Sequence, residues 1–183
     1  MSKYIFLDIE TTGFSRQWND IIEIAAIVID TTNGLDIDSF HEYIKPRSKI
    51  NSQITELTGI TNKMVENCRS ECSVLMDFSE WVYFVKPTAI IGHNCKSFDL
   101  NFIKAKCDHY GIAWDTNKIN IIDTLALARD MNKQGQISTS DCKQPTLAKY
   151  FGIDYVAHSA LEDVKALIKI YDKMTHLEED VGF

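Results

Sequence analysis

The chain predicts an α/β domain that is rich in strands at first and helical later. Three observations carry that expectation: an almost unbroken apolar run over residues 4–9, two more strand-like runs before residue 46, and apolar residues at helical spacing with matching stop signals from residue 74 onward. In chain order, Lys3 to Ile9 reads as a strand buried on both faces, because Tyr4, Ile5, Phe6, Leu7 and Ile9 leave little polar surface. Ile21 to Asp30 and Ser39 to Lys45 read as two further strands, and with the first they form an antiparallel meander. Thr61 starts a short helix, and Val74 to Val85 is a strongly apolar helix ended by Lys86-Pro87. Thr88 to Gly92 is a short apolar strand. Phe98 to Tyr110 then places Leu100, Phe102, Ile103 and Ala105 at helical spacing before Gly111 stops it. Ile119 to Ile122 gives a fifth strand and Asp123 to Asp130 a helix. Met131 to Gln144, with Gly135 and a Ser-Thr-Ser run, reads as a flexible loop near the rim of a site. Pro145 to Phe151 is one more short helix, with Gly152 as its end. Ser159 followed by Glu162 has the pattern of a capping box, so a last helix begins near Ala160 and runs through Val164, Leu167, Ile168 and Tyr171.

At 183 residues and 45% hydrophobic side chains, the chain can bury one sizeable core, and a single domain over 1–183 is expected. No repeat, low-complexity tract or long charge run divides it. The longest apolar stretch falls far short of the ~20 residues a membrane helix needs, and the amino end reads as lacking a secretory leader. The expectation is a soluble, cytoplasmic protein without membrane contact. The five cysteines, at 68, 72, 95, 107 and 142, are odd in number and lack CxxC spacing, which favours reduced thiols over a disulfide or zinc framework. Cys68 and Cys72 are expected to share a helix face. The net charge of -7 argues against a generic nucleic-acid binder, which carries a basic surface. Lys96, Lys104, Lys143, Lys149 and Lys165 are the candidates for local phosphate contacts, and each is equally readable as a solubilising lysine.

Chemistry concentrates in three short motifs. In Asp8-Ile9-Glu10-Thr11-Thr12-Gly13, strand alternation projects Asp8 and Glu10 the same way. Carboxylates held side by side repel unless a cation or a shared proton lies between them, and a hard divalent metal is the simplest remedy. Alone, the motif reads equally well as a solvated acidic turn; Thr11-Thr12-Gly13 shifts the balance, because small residues let the backbone approach a ligand. In the second motif, Gly92-His93-Asn94 precedes Phe98-Asp99, and Asp99 falls in the first turn of a helix. An isolated aspartate there is explained by the helix dipole alone, and His93 by a satisfied loop histidine. The third, His158-Ser159-Ala160-Leu161-Glu162-Asp163, sets His158 just before a helix and Asp163 about one turn inside it. A histidine's unperturbed pKa near ~6.5 suits a general base.

Together the motifs resemble the DEDDh, DnaQ-like family of 3′ to 5′ exonucleases, over a span from Asp8 to Asp163. The resemblance implies a ribonuclease H-like fold, a five-stranded mixed sheet flanked by helices. It implies that Asp8, Glu10, Asp99 and Asp163 hold two divalent metals while His158 deprotonates a water; Mg²⁺ or Mn²⁺ suits such an all-oxygen site. It also implies that Thr11, Thr12, Gly13, Asn94 and Phe98 contact the terminal nucleotide, while the Phe98 ring reads at least as well as a plain core residue. Cys95, Lys96 and Ser97 make a three-residue spacer in the second motif, where proofreading subunits usually have two. In this the chain is similar to the three-prime repair exonuclease branch. The implied reaction is hydrolysis of the terminal phosphodiester of single-stranded nucleic acid at a free 3′ end, releasing nucleoside 5′-monophosphates. DNA stands ahead of RNA, with an RNA-trimming exoribonuclease or a catalytically silent nucleic-acid binding module as alternatives. A polymerase or other protein partner is left open. A haloacid-dehalogenase-like phosphatase is disfavoured, because it needs an aspartate where Glu10 stands. A silent module would be expected to have lost a metal ligand, and none of the five residues is missing.

Overall fold

The computed structural model describes residues 2–154 and 159–176. β1 (Lys3–Thr11), β2 (Ile21–Asp30) and β3 (Leu35–Lys45) form the expected antiparallel meander. Two short helices follow, α1 (Ser52–Thr58) and α2 (Asn62–Val65), then a two-residue strand β4 (Arg69–Ser70) and the long helix α3 (Glu71–Val85). β5 (Ala89–Gly92), α4 (Asp99–Tyr110), β6 (Asn120–Asp123), α5 (Thr124–Lys133), α6 (Gln144–Tyr150) and α7 (Ala160–Thr175) complete the described chain. The sheet order is β4-β3-β2-β1-β5-β6, with β5 and β6 parallel to β1. The mixed sheet thus has the five expected strands and a sixth, β4, which pairs with the end of β3 through only two residues.

Period-two alternation divides the core. Ile5, Leu7 and Ile9 of β1, with Ile24, Ala26 and Val28 of β2, pack against Val74, Leu75 and Phe78 of α3 and Phe102 and Ile103 of α4. Phe6, Ala25, Ile27 and Ile91 face the other way, against Ala160, Val164 and Leu167 of α7. Each fully buried Ile, Leu or Phe on this double-faced sheet contributes about 1.5–3 kcal/mol. That burial explains why the central strands read as continuous apolar runs.

Four local expectations are corrected. α1 was not foreseen; Asn51 caps it by accepting from the Ile54 amide, so its start is set by a polar side chain in a segment without strong periodicity. The stretch 131–144 is a packed connection. α5 continues to Lys133, Ile137 and Cys142 are buried among Met131, Leu147, Ile170 and Met174, and Asn132 bonds both the carbonyl and the amide of Thr139. Cys68 and Cys72 lie in different elements, before β4 and within α3; all five cysteines are free thiols. The capping box at α7 does not form: Ser159 makes no side-chain cap and Glu162 pairs with Lys165 at 2.7 Å. The α7 helix starts where expected for a different reason, because the Ala160 amide donates to the buried carboxylate of Glu23.

A buried ion cluster ties α3 and α4 to the start of β2. Lys106, 2% exposed, lies 3.4 Å from Asp20 and 3.7 Å from Glu71. Glu71 also accepts from the Ile21 amide and the Tyr110 hydroxyl, and Asp20 accepts from the backbone and guanidinium of Arg47. Removing one partner of such a cluster strands the others without their charge, at a cost of about 3–5 kcal/mol. Lys106→Met should therefore destabilise by about 3 kcal/mol, the lower end, since Arg47 and Tyr110 still serve the two acids. Urea denaturation measures it; a loss below about 1 kcal/mol would show that the cluster contributes little.

Candidate active site

Asp8 and Glu10 have the same parity along β1 as Phe6, so they project from the face that α7 covers. Asp163 sits in the first turn of α7, where its amide donates to the Ser159 carbonyl. Packing α7 on this face therefore brings Asp163 to the carboxyl end of β1. Oxygens from Asp8, Glu10 and Asp163 all lie within 4.8 Å of one another. Asp99 comes from the start of α4, buried, and its Oδ1 accepts from the Ile9 amide at 3.2 Å. The structure thus brings three of the four sequence-selected acids into one cluster and sets the fourth against the backbone between two of them.

The electrostatics are those of a crowded anionic site. Burial, followed by repulsion from Asp99, Asp163, Glu10 and Glu23, holds the Asp8 carboxyl well above the usual carboxylate range. Burial and the charges of Asp163, Glu23 and Asp99 push Glu10 up to about 8. Burial likewise raises Asp99 to about 7, even though its hydrogen bonds, including that from Ile9, act the other way. Oxygen donors this close, with Asp8 and Glu10 made costly to ionise by burial and by their acidic neighbours, fit hard divalent cations such as Mg²⁺ or Mn²⁺.

The neighbouring motif residues shape the rim. Gly13 has φ 152°, and a Cβ there would come within 2.7 Å of the Asn19 side chain. Thr11 is nearly buried, its hydroxyl donating to the Gly13 carbonyl, and the Thr12 hydroxyl accepts from the Asp20 amide. These bonds hold the turn after β1 against the start of β2. Gly92 ends β5 where a Cβ would meet that of Cys95 at 2.4 Å. His93 is the satisfied loop histidine: its Nδ1 lies 3.0 Å from the Thr124 hydroxyl, and burial lowers its pKa to about 4. Asn94 is exposed, with φ 63°. Phe98 packs on Phe102 and meets the Phe14 ring edge-on at 6.3 Å, while Phe14 itself is 86% exposed. His158 lies outside the described residues. Of the lysines singled out, Lys104 and Lys165 are engaged with Asp108 and Glu162 on their own helices, and Lys96, Lys143 and Lys149 are exposed.

Four residues that build this region carry weaker signals in the sequence. Glu23 is fully buried opposite Glu10 in the strand register, between His41 at 2.8 Å and the Ala160 amide; an acid inside the apolar run 21–28 was its clue. Asp123 accepts from the Asn94, Lys96, Leu125 and Ala126 amides, and so joins the loop before α4 to the start of α5. Its place between a strand and a helix hinted at a cap but not at the loop contacts. Phe14, an aromatic after Gly13, and Gln144, at the end of a supposed loop, carried no pattern that would single them out.

Comparison with known proteins agrees with this geometry. The "Exonuclease" family model matches residues 5–171. The PolC-type DNA polymerase III of Caldanaerobacter subterraneus subsp. tengcongensis is 35% identical over 181 residues, 98% of this chain, and that of Staphylococcus aureus is 34% identical over the same share. The chain spans only 12% of the length of these relatives. Among solved structures, E. coli Exonuclease I in complex with a dT13 oligonucleotide superposes with a TM-score of 0.82 at 21% identity, over 99% of this chain and 42% of that one. The nuclease domain of 3′hExo, a DEDDh family member bound to rAMP, gives 0.74 at 18% identity, over 97% and 92%. These two likenesses bear on the fold, which is the ribonuclease H-like exonuclease fold. With the family match over most of its length and its acids gathered at the end of β1, the chain belongs to the exonuclease family, of the DEDDh type.

Proposed function

We propose that this chain is a metal-dependent 3′ to 5′ exonuclease domain that hydrolyses the terminal phosphodiester of single-stranded nucleic acid, with DNA ahead of RNA, and releases nucleoside 5′-monophosphates. The observation that carries the reading is the meeting of Asp8, Glu10 and Asp163 within 4.8 Å, with Asp99 bonded to the backbone between the first two. Asp8, Glu10, Asp99 and Asp163 would hold two divalent cations, Mg²⁺ or Mn²⁺. Such ions supply charge neutralisation for the phosphodiester and its leaving oxygen, and acidify water. His158, next to the first residue of the α7 cap, would take the proton of the attacking water. The turn 11–13 and Asn94 would seat the terminal nucleotide, and the Phe98 ring, extended by Phe14, offers a stacking ledge for bases. Exonuclease I held with dT13 supports a single-stranded DNA substrate. The 3′hExo domain bound to rAMP supports RNA trimming as the second reading. The PolC-type relatives suggest action beside a polymerase; we read 1–183 as one exonuclease domain working in the cytoplasm, and no helix among the described residues is long and apolar enough to cross a membrane.

The direct test uses matched single-stranded DNA and RNA oligonucleotides. A 3′-phosphate should block degradation, a 5′ block should not, and circular single strands should survive. Rapid cutting of circles would mean an endonuclease, and faster loss of RNA would move the substrate to the second reading.

Asp8→Ala should abolish turnover without unfolding the protein, because removing one acid relieves repulsion on the others. Circular dichroism and single-turnover cleavage report the two halves; near-normal turnover would remove Asp8 from the mechanism.

Metal and pH are linked through the same acids. Asp8, Glu10 and Asp99 have folded pKa values raised above their ordinary ones, so the stability they contribute is full in acid and is lost as pH rises toward about 8. His93, lowered to about 4, acts oppositely, but only below its ordinary 6.5. Between pH 6.5 and about 8, the melting temperature of the metal-free protein should fall. Millimolar Mg²⁺ should offset that fall, and Asp8→Asn should flatten it. A melting temperature that is flat in the wild type, with Mg²⁺ equally effective at both ends, would contradict a metal-binding acid cluster.

A further inference from the structure

We propose that Gln144 is a positioning residue for Asp163, acting through it on the cations; the inference rests on Asp163 being a metal ligand. Gln144 is 8% exposed, and its Nε2 donates to the Asp163 backbone carbonyl at 2.9 Å and to Asp163 Oδ1 at 3.3 Å. One amide group thus holds a helix backbone and the carboxylate it carries. A donor on one carboxylate oxygen sets the plane of the group, and that plane decides how its lone pairs meet Asp8 and Glu10. The amide brings no charge into a site already crowded with acids.

Gln144 is itself firmly placed. It opens α6 with Pro145 behind it, and Leu147 and Ala148 of that helix pack with Ile170 and Met174 of α7. On the other side, Glu23 accepts from Ala160 and is held by His41. The first turn of α7 is therefore fixed from β2 and from α6 at once. Hydrogen-bond partners of ligating carboxylates act in this way in metal sites generally, and losing one costs roughly 10–100-fold in metal affinity or activity.

The test compares wild type with Gln144→Met, which keeps the volume and removes the donor, and Gln144→Glu, which replaces it with an acceptor. Mn²⁺ binding is read by titration calorimetry, and kcat and KM are measured with one oligonucleotide across a Mn²⁺ series. Q144M should bind Mn²⁺ about 10-fold more weakly. Its kcat should fall at low Mn²⁺ and recover at high Mn²⁺, with KM unchanged. Q144E should lose at least as much. In an Asp163→Asn background, Q144M should add little, since the two act as one unit. Wild-type Mn²⁺ affinity in Q144M, or losses that simply add to those of D163N, would overturn the inference. Should Q144M not fold, Gln144→Asn withdraws the amide by one methylene, and the same two outcomes apply. A wild-type protein that binds no Mn²⁺ would overturn the metal reading and this inference with it.

Discussion

Mutual repulsion among carboxylates at the end of β1 is the constraint around which the other parts of this molecule are arranged. Asp8 and Glu10 share a strand face because alternation gives them no choice, and Glu23 faces Glu10 across the pair of strands. Asp99 and Asp163 then arrive from two different helices. Nothing in such a group is self-stabilising, so it is held by apolar packing on both faces of the sheet. Burial raises the proton affinities of Asp8, Glu10 and Asp99, and for Asp8 and Glu10 the neighbouring acids raise them further.

The two faces solve the problem of buried charge in opposite ways. Between α3 and α4, Lys106 supplies a cation of its own, and Asp20 and Glu71 are satisfied inside the protein. On the α7 face, Asp8, Glu10 and Asp163 cluster together, and the Gln144 amide that donates to Asp163 is uncharged. The first arrangement makes a scaffold; the second keeps its acids close together at the end of β1. His41 is the partial exception, and it serves Glu23, one strand away from the centre.

Much of this was legible in the residues. The meander, the long helices and the three motifs follow from apolar period and stop signals, and Asp8 with Glu10 on one face follows from the pleat alone. What escaped has physical reasons. α1 depends on an Asn51 cap more than on a periodic apolar stripe, and β4 is a product of tertiary pairing at the end of β3. The 134–143 connection has a polar composition, yet two apolar residues and one asparagine suffice to bind it to the core. The capping pattern at Ser159 is present, but Glu162 turns to Lys165, and the first amide of α7 is met instead by a buried acid 137 positions before it. Local chemistry proposes such bonds, and long-range neighbours decide them.

Asp123 gives the second motif a property of its own. Its Oδ1 and Oδ2 take the amides of Asn94 and Lys96, so the loop between β5 and α4 is pinned at its middle to a separate helix start. Asp99 is located by the burial of α4 against the sheet and by the Ile9 amide. The pinned loop in turn meets the start of α4: the Asn94 carbonyl accepts from the Ser97 and Phe98 amides, and the Cys95 carbonyl accepts from the Leu100 amide. The three-residue spacer is therefore held from both sides, and one carboxylate sets the starts of α4 and α5 as a unit.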